Sequence, residues 1–141
     1  MRAVFDRRPV KATVFRAASI ERLKDATCLH DAERFQGAIY LCGYALECEL
    51  KYRICAARGV VQMEEGEAKQ YGHRLPELLD KTGLLKPLSG CRELHIAFQN
   101  ISSRWSTDIR YSGGMSNKSE SEKFLKDSRA LLLWLRTQSK S

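Results

Sequence analysis

The chain has 141 residues, 43% hydrophobic and 29% charged, an ordinary globular balance with enough length for one domain and its core. Its 24 Lys+Arg against 17 Asp+Glu give a net charge of +7, which favours a polyanionic partner such as RNA or DNA, because each neutralised phosphate releases counterions. The five cysteines form no CxxC pair, no apolar run approaches the roughly 18 residues of a membrane span, and no apolar block follows the N-terminus. The expectation is a cytoplasmic protein with reduced thiols, without a disulfide framework, a metal centre, a cofactor or a membrane anchor.

In chain order, residues 1–17 form a basic arm: Arg2, Arg7, Arg8, Lys11 and Arg16 stand against one acid, Asp6, and Pro9 interrupts any helix. Such an arm is either a packing tail or a contact for phosphates, and its valines permit a short extended piece. A bundle domain is expected over 18–138. Ser19 is the candidate N-cap of a first helix that carries Ala18, Ile20 or Leu23, Ala26, Cys28 and Leu29 to about His30. Asp31 is the candidate cap of the next helix, and so short a joint predicts antiparallel neighbours.

The central stretch, Glu33 to Gly59, has no proline and ends on a glycine suited to a left-handed C′ position. At helical spacing Ile39, Cys42, Leu46, Leu50, Ile54 and Ala57 share one stripe, and Leu41, Ala45, Tyr52 and Ala56 a second. A helix apolar on most of its circumference belongs in the middle of a bundle. Its remaining stripe, Tyr40, Tyr44, Glu47 and Lys51, is polar. Glu47 precedes Lys51 at i,i+4, the favourable order for a helical ion pair, and two charges on so apolar a helix should face a groove, a partner or solvent.

After Gly59 the chain turns polar, as a surface loop with one helical turn at most. A short helix follows from about Leu75, with Pro76 in its first turn, Leu75, Leu78 and Leu79 inward, and Gly83 after it. Pro87 and Ser89 open another, carrying Cys91, Leu94, Ile96 or Ala97, Phe98 and Ile101. A Ser/Gly-rich break precedes the last helix, Ser119 to Thr137. Ser119 with Glu122 fits a capping box, and Phe124, Leu125, Leu131, Leu132, Trp134 and Leu135 point inward. Nothing alternates with period two for long. The fold class is all-α, an antiparallel up-and-down bundle of about five helices.

The three histidines, His30, His73 and His95, have no metal-ligand spacing, so His73 is read as a cap of the short helix or a hydrogen-bonding residue of the bundle. No GxSxG elbow exists. Gly113–Ser119, with Lys118, resembles a phosphate loop only superficially, since Asn117 precedes the lysine. Arg104, Trp105, Arg110 and Tyr111 interleave bases with aromatics, which suits stacking on unpaired bases with phosphate contacts. The alternative is that Trp105 packs on the bundle and Arg110 pairs with an acid such as Glu47.

GAIYLCGYALECELK, then GHRLPELL, then RWSTDIRYS and a closing helix ending in LLLWL resemble the HEPN family, over roughly Ser19 to Leu135. The resemblance implies a small antiparallel helical bundle, often dimeric, from prokaryotic toxin–antitoxin and defence loci, with a nucleotidyltransferase-type protein as neighbour. Many members are metal-independent endoribonucleases, with an Arg followed after four to six residues by a His. Here Arg110 is the candidate arginine, but Met115, Ser116 and Asn117 stand where that His would be. The expected function is therefore a non-catalytic HEPN-like module, a homodimer that binds RNA, a nucleotide or a partner protein. The alternative is a ribonuclease with an atypical site, in which Arg110 stabilises the phosphorane and Glu47 or His73 handles protons.

Overall fold

The computed structural model describes residues 8–105 and 117–138. In order they form β1 (Val10–Lys11), α1 (Ala12–Asp31), α2 (Phe35–Arg58), β2 (Gln62–Met63), α3 (Glu67–Tyr71), α4 (Leu75–Thr82), α5 (Leu85–Ser89), α6 (Arg92–Arg104) and α7 (Lys118–Thr137). The architecture is all-α with one two-stranded ribbon. Seven helices rather than about five occur among the described residues, because two are five-residue pieces, α3 and α5.

Helix α2 lies at the centre, packed on α1, α4 and α7. Ile39, Cys42, Leu46, Leu50 and Ile54 of its apolar stripe are buried, and Ala57, in its last turn, is exposed. Gly59 closes it at φ 68°. Cross-links fix the helix directions. His30 lies 2.8 Å from Ser121, Arg129 donates to Thr27 and Arg136 to Ser19, so numbers fall along α1 as they rise along α7. Leu29 sits over Gly37 while Arg16 meets Glu49, so α1 and α2 are also antiparallel. Arg104 at the end of α6 meets Glu120 at the start of α7. Helices α2 and α7 thus both run antiparallel to α1.

Several helix boundaries differ from expectation. Helix α1 begins at Ala12, where β1 pairs antiparallel with β2 (Val10 with Met63, Lys11 with Gln62) and Ala12 N–H donates to Val61 O at 2.8 Å. Residues 10–17 are therefore strand and helix, and Ser19 is not a cap: it is fully buried in mid-helix, accepting from Arg136 at 3.2 Å. Asp31 ends α1, and the N-cap position of α2 is Arg34, without a side-chain bond. The helix expected from Pro87 is broken at Gly90 into α5 and α6, and it is Ala97, not Ile96, that turns inward. Helix α7 is capped by Asn117, which accepts from Glu120 N–H at 2.9 Å, two residues ahead of Ser119. Residues 1–7 of the basic arm lie outside the described residues.

Candidate functional site

Glu47 and Lys51 sit one turn apart on α2, so their side chains meet: Lys51 Nζ donates to Glu47 Oε2 at 3.0 Å. Both are about 95% buried, where an ion pair survives only with its remaining polar atoms satisfied. The second partner comes from 26 residues away. His73 Nδ1 lies 2.9 Å from Oε2 and 3.0 Å from Oε1 of Glu47. A carboxylate only accepts, so Nδ1 carries the hydrogen, and in the uncharged imidazole Nε2 is left with its lone pair. The His73 side chain is 60% exposed against 6% for Glu47, which makes a buried carboxylate orient a solvent-facing ring.

These groups line a groove of about 380 Å³ between α1, α2 and α3. Val10, Val14, Phe15 and Ala18 form one wall, Tyr44, Cys48 and Lys51 the floor, and Ala68, Lys69 and His73 the opposite rim. Tyr44 is 38% exposed, and its hydroxyl is pushed above its ordinary value by burial, then by Cys48, Glu47 and Tyr40. Burial, followed by the Glu47 charge, pushes the Cys48 thiol up to about 12, so the groove holds no thiolate at neutral pH. Among the described residues no His/Cys/Asp/Glu cluster could hold a metal ion.

Of the polar stripe, the fold joins Tyr44, Glu47 and Lys51 to this groove and turns Tyr40 elsewhere. Trp105 stacks on Tyr40, with centroids 6.1 Å apart, and its Nε1–H donates to Tyr40 O at 2.9 Å. A Cβ on Gly43 would overlap the indole, so the ring lies directly on the α2 backbone. Enclosed in this way, Trp105 packs on the bundle, the second of the two readings open for it, and its ring is not free to stack on a base. Arg104 is held in a two-pronged pair by Glu120, at 2.6 and 2.9 Å. Lys118 borders a separate hollow with His30, Asp31, Glu33 and Phe35. Arg110 and Tyr111 lie outside the described residues.

A second ionic cluster escaped the sequence. Glu49, fully buried, accepts from Arg16 Nε and Nη2 at 3.1 and 2.8 Å, and Arg136 Nε approaches it at 3.7 Å. Arg16 also lies 3.9 Å over the Tyr52 ring. Burial lowers the Arg53 guanidinium from its ordinary value, and the Glu49 charge acts against it. The available signal was Glu49 before Arg53 at i,i+4, the same spacing as Glu47 and Lys51 two residues earlier. The cluster ties α1, α2 and α7 together on the far side from the groove.

No family model, curated protein or solved structure matches this chain. Among the described residues no helix is long and apolar enough to cross a membrane.

Proposed function

We propose that the chain is a HEPN-like helical module whose groove, built on Glu47, Lys51 and His73, binds single-stranded RNA or a nucleotide, in the toxin–antitoxin or defence setting the resemblance implies. The observation that carries this is the convergence of Lys51 and His73 on one carboxylate beneath an apolar wall. A base packs against Val14, Phe15 and Tyr44, a phosphate meets Lys69, and a ribose hydroxyl donates to the open Nε2 of His73. The net charge of +7 supplies the long-range attraction. Fluorescence anisotropy with a labelled single-stranded RNA across a salt series tests it. Affinity is expected to fall as salt rises, and Lys69→Ala and His73→Ala to weaken binding while Lys118→Ala leaves it unchanged. Absence of binding at low salt, or equal losses in all three variants, contradicts the proposal.

The Glu47–His73 contact favours a second reading, ribonuclease action without the expected Arg–His motif. Neither thiol nor phenol in the groove is activated, so the substrate must bring its own nucleophile, and the RNA 2′-hydroxyl is one. His73 Nε2 takes the 2′-OH proton, O2′ bonds to phosphorus, the P–O5′ bond breaks and O5′ takes a proton from water. Incubation of total RNA with wild type, His73→Ala and Arg110→Ala decides this: identical, uncleaved profiles remove the second reading and leave the first intact.

A further inference from the structure

We infer that α3 is a hinged lid on the groove, latched by Arg58; this rests on the groove being a working site but not on which anion it takes. Helix α3 has five residues, none of them buried, yet it supplies Ala68 and Lys69 to the groove rim and leads directly into His73. A helix this short does not hold itself. It is bounded by Gly66 at φ 82° and Gly72 at φ 77°, ψ −155°, the latter in a region open essentially to glycine alone. A Cβ at either position would meet nothing within 4 Å, so space is not what selects glycine there; the backbone conformation is. Two such residues bracketing one exposed turn have the form of a hinge pair.

Weak contacts hold the lid down. Arg58, the last residue of α2, donates through Nη1 to Glu67 Oε2 at 3.0 Å and to Tyr71 Oη at 3.3 Å. Lys81 of α4 lies 5.9 Å over the Tyr71 ring, and Ala68 and Tyr71 are only partly buried against the core. An exposed charge pair contributes little and is screened by salt, so the latch opens far more readily than the bundle unfolds. Opening lifts Ala68 and Lys69 off the rim and uncovers the groove floor, while His73, beyond the Gly72 hinge, stays beside Glu47. Ligand entry is thereby set by the latch, with the Glu47–His73 contact already in place.

Cys48 reports on this without any ligand. It lines the groove at 5% exposure, and Cys42, fully buried on the same helix beside Ser128 and Arg129, serves as the reference for opening of the whole bundle. Site-resolved iodoacetamide labelling is measured in wild type, Arg58→Ala and Glu67→Gln. Cys48 is expected to label about two- to fivefold faster in both variants, with Cys42 unchanged, and added salt to bring the wild-type rate toward theirs. An unchanged Cys48 rate, or a parallel rise at Cys42, overturns the lid. RNA anisotropy on the same samples separates the two ideas: faster Cys48 labelling without RNA binding defeats the proposed function alone, and binding with unchanged labelling defeats the lid alone.

Discussion

A missing methyl group at Gly43 decides where Trp105 lies. The indole occupies the space a Cβ would take, its N–H meets the Tyr40 carbonyl and its face meets the Tyr40 ring. Gly43→Ala is therefore expected to destabilise the fold by about 1–3 kcal/mol, the range for overpacking a filled site, even though alanine is the better helix former. Urea unfolding checks this, and an unchanged or raised midpoint contradicts it. Trp105 shows the limit of composition at this scale. An aromatic among arginines reads equally as a stacking platform or a core residue, and only the tertiary position of Gly43, 62 residues earlier, separates the two. Glu49 shows the converse. Its spacing with Arg53 is visible in the chain, but the arginines nearest its oxygens stand 33 and 87 positions away, on α1 and α7.

Helices whose ends carry local chemistry were legible as elements, and those ended by tertiary packing were not. Gly59 and Gly83 mark the ends of α2 and α4, and Pro76 lies in the first turn of α4. The start of α1 was missed because the β1–β2 pairing, a contact between distant segments, holds Val10 and Lys11 and so lets the helix begin at Ala12. At α7 two cap signals compete within three residues, and the backbone uses Asn117 in place of Ser119. Asn117→Ala is expected to cost about 1 kcal/mol and Ser119→Ala to change stability little. Thermal unfolding of the two variants distinguishes them; equal effects contradict the assigned cap.

Across the whole molecule, α2 carries two ionic clusters on opposite faces, and their neighbours give them different work. Glu49 is enclosed by α1 and α7 and fastens the bundle, with its open side taken by Arg16. Glu47 lies under a groove, and its second partner is an exposed histidine just beyond the Gly72 hinge of α3. The Tyr44–Glu47–Lys51 part of the site was legible because two charges on an apolar helix need an outlet. The contribution of His73 was not, since sequence spacing carries no record of which loop returns to which helix. Everything proposed for the groove depends on the Glu47–His73 pairing and on that ring meeting the ligand. Nitrogen-15 NMR of the His73 imidazole, with and without single-stranded RNA, measures both at once. The account predicts a hydrogen on Nδ1 and ring resonances that move as RNA is added; a ring whose only hydrogen is on Nε2, or resonances unmoved at saturating RNA, would contradict it.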